Sequence, residues 1–213
     1  KLTDADAKNQ RNALWAACKP IQKKDFVSEY LVNRGLGGWQ PTLDFRTLMD
    51  PVFYEGKCIG SPGLVAMVRS PSGEPATLHQ TPIKNGKRDG KRYLSAGGYP
   101  DSSAIRIGEP ANFMGIAEGL ENAISASLLF RVPVWALINA QNMAKFVAPQ
   151  QCKRLYIFGD HDTSFTGQSS AYAVARRHKV KGIDVEVRFP NLSRFDFDWN
   201  DHHLEILKQG EAA

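Results

Sequence analysis

At 213 residues and 42% apolar content, the chain exceeds one modal domain and has a globular composition, which excludes a disordered or fibrous protein and allows two domains with their own cores. Its net charge of +5 favours a polyanionic partner, and no stretch approaches the roughly 18 apolar residues of a membrane span, so no membrane partner is expected. Cys18, Cys58 and Cys152 lie far apart without any Cys-x-x-Cys spacing; they offer no zinc ribbon or finger and point to reduced thiols in a cytoplasmic protein. No signal peptide is visible, and because the chain starts at Lys1 without methionine it is expected to be a piece of something longer.

From Asp4 to Cys18 the spacing of Leu14, Trp15 and Cys18 predicts a helix that Pro20 closes. A second helix, Phe26 to Arg34, has Asp25 placed to cap it and Gly35, Gly37 and Gly38 to stop it, with Phe26, Tyr30 and Leu31 as its core stripe. From Thr42 to Ile107, short alternating runs broken by Gly and Pro predict antiparallel strands. Two of these, Gly63 to Arg69 and Glu74 to Gln80, flank the turn tetrad Ser70-Pro-Ser-Gly73 and should pair as a hairpin. The hairpin runs into charge: Lys84, Lys87, Arg88, Lys91 and Arg92, interleaved with Asn85, Gly86 and Gly90. Such a run is either a solvated turn or a loop that tracks a phosphate backbone, since Lys and Arg neutralising phosphates are the electrostatic footprint of nucleic-acid binding. Arg69, Arg106 and Lys153 are further candidate cations.

After Gly108-Glu-Pro110 strands alternate with helices: Phe113 to Ala117 then Leu120 to Phe130, Val132 to Ile138 then Gln141 to Val147, Leu155 to Gly159 then Gln168 to Lys179, and Val185 to Phe189. This alternation predicts a parallel sheet with right-handed crossovers, and the change of pattern puts a boundary at Pro110 between lobes 1–110 and 111–213. Two strands end in carboxylate. Phe113-Met-Gly-Ile-Ala-Glu-Gly119 delivers Glu118, and Leu155-Tyr-Ile-Phe-Gly-Asp-His-Asp162 delivers Asp160 and Asp162, at the sheet edge where open α/β folds place ligand sites. Strand alternation would send both aspartates to one face, with His161 pointing away; two charges so placed raise each other's pKa unless a hard cation lies between them.

Arg194-Phe-Asp-Phe-Asp-Trp-Asn-Asp201 then leads into a short amphipathic helix, His202 to Lys208, with Asp201 as its expected cap. Asp198 and Asp201 either cap and solvate or join Glu118, Asp160 and Asp162 on the metal rim. His202 and His203 point about 100° apart on a helix and so do not share one ion.

Taken together, Ile116-Ala-Glu-Gly-Leu-Glu-Asn-Ala123, Phe158-Gly-Asp-His-Asp162 and Asp198-Trp-Asn-Asp201 resemble the Toprim domain of phage- and plasmid-encoded primases and primase-helicases. Pro62 to Val68 and Thr77 to Thr81 are similar to the amino-terminal half that precedes Toprim in those proteins. The resemblance implies a Toprim-like α/β fold, a parallel sheet flanked by helices, preceded by a smaller α+β domain with antiparallel strands. It implies a DNA primase, a nucleotidyltransferase making short primers on a single-stranded DNA template from nucleoside triphosphates, working with a replicative helicase or with other domains of a longer chain. It implies Glu118 as general base or acid and Asp160 and Asp162 as ligands of Mg2+ or Mn2+. Some family members carry an acid four residues after the glutamate, where this chain has Asn122; Glu121 is the neighbouring acid that could substitute. Deprotonating a 3′-hydroxyl and neutralising a transferring phosphoryl group are tasks for such an ion held by carboxylates beside a base. A Toprim nuclease, whose acids direct water instead, is one alternative, and a non-catalytic nucleic-acid-binding module is another; a degenerate module could lose the three acids that are all present here.

Overall fold

The computed structural model describes residues 3–191 and 193–211, and the chain divides into two compact units between Pro100 and Asp101. In the first, helix α1 (Asp4–Ala17) starts in a reciprocal capping box between Thr3 and Asp6. Strand β1 (Lys19–Pro20) leads to α2 (Phe26–Asn33), where Asp25 Oδ1 accepts the Ser28 amide at 2.7 Å. Strands β2 (Phe45–Leu48), β3 (Val52–Tyr54), β4 (Lys57–Gly60), β5 (Gly63–Arg69), β6 (Pro75–Lys84), β7 (Lys87–Arg88) and β8 (Tyr93–Leu94) follow. The main sheet runs β1-β2-β5-β6-β7 with β8 also on β6, all antiparallel, and β3 and β4 form a separate hairpin. Leu14 and Cys18 of the first helical segment pack with Leu48, Val65, Met67 and Leu78 in its core.

The β5–β6 hairpin closes through Ser70 as expected, with its amide on Glu74 O and its carbonyl accepting from Gly73 N. The basic run differs from the loop the sequence suggested. Lys84 pairs with Lys87 and Ile83 with Arg88, so three of the charges ride on a second hairpin and Lys91 and Arg92 follow it. Asn85 and Gly86 both have positive φ, 52° and 67°, the left-handed pair that a two-residue turn of this twist requires.

In the second unit β9 (Ile105–Ile107), β10 (Phe113–Ala117), α3 (Leu120–Phe130), β11 (Val134–Ala136), α4 (Ala140–Lys145), β12 (Arg154–Phe158), α5 (Thr166–Val180), β13 (Asp184–Arg188) and α6 (Trp199–Glu211) build a five-stranded sheet in the order β13-β12-β10-β11-β9. Strands β10 to β13 are parallel, and β9 is antiparallel to β11. The sequence reading assigned everything before Pro110 to the first lobe, yet Ile105–Ile107 gives its ladder to the second sheet. A short alternating strand looks the same whichever sheet it joins. Met114, Ile116, Leu155 and Ile157 fill one face against Met143, Ala171 and Val174 of α4 and α5. On the other face Phe158 meets Phe130 of α3 and Trp199 of α6, with ring centroids 4.9 and 5.2 Å away. Each fully buried side chain of this kind contributes about 1.5–3 kcal/mol, which fixes the carboxyl edge of the sheet firmly.

All three cysteines are free, and burial pushes the thiols of Cys18 and Cys152 up to about 11, leaving them protonated and inert. Among the described residues no helix is long and apolar enough to cross a membrane.

Candidate active site

Strands β10 and β12 are adjacent and in register, Ala117 opposite Phe158, so the residues that follow them emerge side by side at the carboxyl edge. Glu118 is the first residue past β10, whereas Asp160, His161 and Asp162 lie past the end of β12. Strand alternation therefore does not orient this triplet. A turn does, and it is tied down by an isolated bridge between His161 and Phe197 and by the Asp196 amide on His161 O at 2.8 Å. The His161 ring is buried with Nδ1 within 3.0 Å of Asn191 O and 2.8 Å of Arg194 O, so Nδ1 carries the proton.

Four carboxylates gather at this edge. Burial, followed by the charges of Glu118 and Asp198, pushes Asp160 up to about 7; Asp162 adds less, and a hydrogen bond from Asn122 Nδ2 to Oδ1 at 2.9 Å pulls the other way. Glu118 is raised as well, by burial first and by Asp162 second. Asp160 is thus coupled more tightly to Glu118 and Asp198 than to its partner in the Asp-x-Asp motif. Asp162 is turned toward α5: Oδ2 accepts the Gly167 amide at 3.0 Å, Oδ1 accepts Ser164 Oγ at 3.1 Å, and its carbonyl accepts Gln168 Nε2 at 2.9 Å. The residue at the start of α5, Phe165, supplies no side-chain cap, so the Asp162 carboxylate meets the positive end of the helix in its place. Gly167 permits this approach, since a Cβ there would sit 2.6 Å from Asp160 O.

The tail is organised differently from the sequence expectation. Helix α6 begins at Trp199 rather than His202, and Asp198, whose side chain accepts the Asp201 amide, takes the cap position expected of Asp201. Asp198 Oδ1 accepts the Asp201 amide at 2.9 Å and Asp201 Oδ2 faces the Asp198 amide at 3.4 Å, a capping box made of two aspartates. What pulls the helix start back is Trp199, whose Nε1 donates to Gly159 O at 3.2 Å while its ring packs on Phe158 and Phe130. Asp198 is consequently brought to Asp160, and Asp201 is engaged in the box. His203 is buried, and burial together with His202 lowers its pKa, so it is neutral.

Asn122, which stood out only as a departure from the family pattern, joins the two halves of the site. Its Nδ2 holds Asp160, and its Oδ1 accepts the Asn200 amide at 3.2 Å; Asn200 in turn donates to Ser125 Oγ at 2.9 Å. Glu121, the suggested substitute, is buried on α3 at 3% exposure. Asn200, Gly167 and Gln168 were not anticipated; a glycine in the first turn of a helix just after an acidic motif was the available signal.

Among the described residues no three His, Cys, Asp or Glu side chains converge as a ready-made ion site. The donor set nevertheless fits magnesium or manganese: all-oxygen carboxylates, two of them raised first by burial and then by their neighbours' charges, the second of which a divalent cation relieves.

In the first unit Lys84, Lys87, Arg88 and Lys91 are exposed and, among the described residues, engage in no ion pair; Arg92 is half-buried. Asn33 Nδ2 donates to Gly86 O at 3.3 Å and anchors the turn to α2. Arg69 is committed to Asp44 through two bonds of 2.6 and 2.5 Å, and Arg106 lies over the Trp135 ring at 4.4 Å.

Residues 113–209 match the Toprim domain family, and residues 5–106 match a domain of unknown function, DUF7146. No curated protein matches the chain in sequence. Among solved structures, the zinc-binding and RNA polymerase domains of Aquifex aeolicus primase superpose with a TM-score of 0.60 at 16% identity, covering 100% of this chain and 61% of that one. The RNA polymerase domain of Mycobacterium tuberculosis primase DnaG gives 0.54 at 13% identity, covering 99% and 82%, and a DNA primase domain from Pseudomonas aeruginosa gives 0.53 at 12%, covering 92% and 71%. The chain thus spans 61% of the Aquifex structure's length. At these identities the likeness is one of fold alone.

Proposed function

We propose that this chain, whose residues 113–209 are a Toprim domain, is the catalytic core of a DNA primase serving phage or plasmid replication. It would join nucleoside triphosphates into short primers on single-stranded DNA. The observation that carries the reading is the gathering of Glu118, Asp160, Asp162 and Asp198 at the carboxyl edge of the parallel sheet, where burial and then neighbouring charge raise both Glu118 and Asp160. A surface ornament of acids would not be buried and crowded in this way.

Each residue then has a distinct task. Glu118, raised in pKa by burial and then by Asp162 and so made a better base, accepts the proton of the attacking 3′-hydroxyl. Asp160, Asp162 and Asp198 would hold magnesium or manganese, which supplies charge neutralisation at the transferring phosphoryl group. Asn122 keeps Asp160 turned inward, and the α5 amino terminus, through Gly167, fixes the Asp162 carboxylate. Lys84, Lys87, Arg88, Lys91 and Arg92 offer phosphate contacts that follow a strand without reading its sequence. A replicative helicase, or further domains of a longer chain, would supply the partners that carry the core along DNA.

Incubation with single-stranded DNA, magnesium or manganese and labelled nucleoside triphosphates tests this directly. Short labelled oligomers are the expected product. Cleavage of the template instead would favour a nuclease using the same acids, and binding without either product would favour a docking module.

A further inference from the structure

We infer that Phe165 and Phe195 form a stacking platform for a nucleobase beside the acid cluster, an inference that rests on the primase reading and adds the half of the nucleotide that carboxylates cannot hold. Phe165 is 59% exposed and Phe195 47%. Their rings meet edge to face, with centroids 5.8 Å apart and planes at 70°. Behind Phe195, His161 is stacked at 4.5 Å and 26°, and behind His161 lies Phe189 at 6.0 Å, itself packed against the core. A ladder of rings therefore runs from the core to solvent and stops with two phenylalanines open.

Single exposed aromatics are ordinary on protein surfaces, but a contiguous pair held outward is not, because apolar area in water is unfavourable unless something covers it. The backbone enforces the arrangement. Phe165 has φ +59°, a left-handed conformation that bulky side chains seldom adopt, and its amide donates to Asp162 O at 3.2 Å. The segment bearing Phe195 is laced to the same turn: Thr163 donates from N and Oγ1 to Asp196 Oδ1 at 3.2 and 3.0 Å. The platform is thus built onto the Asp160–Asp162 turn.

The chemistry of the occupant follows from the neighbours. Bare phosphate is repelled by the adjacent acids, whereas the flat, neutral face of a base gains from stacking on phenylalanine, and does so whatever its identity. A nucleotide whose phosphates were bridged to the carboxylates by magnesium would leave its base free to meet rings carried on the same turn as Asp162. The base belongs either to the incoming nucleoside triphosphate or to the nucleic-acid strand.

Equilibrium binding in magnesium separates these sources and tests the platform. Phe165→Leu and Phe195→Leu, with Phe165→Tyr and Phe195→Tyr as aromatic controls, are titrated with ATP against tripolyphosphate and with an oligothymidylate against an abasic oligomer of equal length. The leucine variants should bind a base-bearing ligand roughly tenfold more weakly and its base-free counterpart as wild type does, while the tyrosine variants keep wild-type affinity. Loss confined to ATP assigns the platform to the incoming nucleotide; loss confined to the oligomer assigns it to the strand. Equal binding of base-bearing ligands by leucine variants and wild type overturns the inference, as does equal loss of base-bearing and base-free ligands, or a wild type that does not distinguish them. A wild type that makes no oligomers yet shows the selective loss keeps the platform and drops the primase reading; intact synthesis without selective loss drops the platform alone.

Discussion

The acid cluster and the basic hairpin carry opposite charges and are built by opposite means. The acids are partly buried, crowded and individually held: Asp160 by Asn122, Asp162 by Gly167 and Ser164, Asp198 by the Asp201 amide. The cations of the hairpin are exposed, and Lys84, Lys87, Arg88 and Lys91 engage in no ion pair among the described residues. Chemistry at a reacting centre needs charges fixed in place before the substrate arrives, and the fold bears the electrostatic cost of fixing them. Tracking a phosphate backbone needs only charge at the surface, where mobility is harmless and water keeps the cost low.

The comparison breaks most visibly at Glu118. Glu118→Gln keeps size and hydrogen bonding but removes the proton acceptor, so primer synthesis should fall by about a hundredfold or more while magnesium still raises the melting temperature. Asp160→Asn and Asp162→Asn should lose both synthesis and metal-induced stabilisation. Extension assays paired with melts at increasing magnesium distinguish the two patterns, and an equal metal response in all three variants would exclude the Asp-x-Asp pair as the ion site.

Next comes the pH response of the metal-free protein. Asp160 titrates near 3.8 when unfolded and about 7 when folded, so between those values the folded chain binds the extra proton. Its contribution to stability is therefore greatest in acid and is lost as pH climbs from 3.8 to about 7. Asp160→Asn removes this loss: its melting temperature relative to wild type should rise across that window and plateau above it. Circular-dichroism melts in chelator read the difference, and a flat difference would mean that Asp160 is neither buried nor crowded in solution.

A smaller effect is expected at the hairpin. Lys87→Glu, Arg88→Glu and Lys91→Glu together should weaken single-stranded DNA binding roughly tenfold at low salt and flatten the salt dependence by about 0.7 per lost contact, with no change in metal affinity. Unchanged affinity and slope would make it a solvated turn. The smallest effects separate the two tail aspartates. Asp201→Ala should cost about 1 kcal/mol through the capping box and leave metal dependence alone, while Asp198→Asn keeps the cap and raises the metal concentration needed for activity. Denaturant titrations and magnesium titrations of each variant resolve the pair.

Much of this architecture can be read from one-dimensional pattern, and all but one of the exceptions share a cause. The parallel sheet, its helices, the β5–β6 hairpin and the positions of Glu118 and Asp160 follow from apolar runs ending in acid, because buried strands and their ends are marked by local composition. Three features do not follow. Ile105–Ile107 belongs to the second sheet, the basic run is a hairpin although Asn85-Gly86 announces one, and α6 starts at Trp199 because its indole reaches Gly159. The first and last are decided by partners distant in sequence, which no local window contains. Only the hairpin was there to be read. Asn122 belongs with the distant cases: its role exists only once Asp160 and Asn200 stand on either side of it.

That bridge also sets an order of events. Asn122 and Asn200 are separated by 78 positions, so during synthesis the glutamate strand and α3 leave the ribosome several seconds before the residue that completes the pocket, at about 5–20 residues per second. The first unit can close on itself in that interval, since its hairpins and helices pair within residues 1–100. The acids cannot reach their final arrangement until α6 docks, so a nascent chain would expose the basic hairpin before its acid cluster is complete. Ribosome-stalled chains ending before and after α6 would then differ in magnesium-dependent protection while sharing their affinity for DNA.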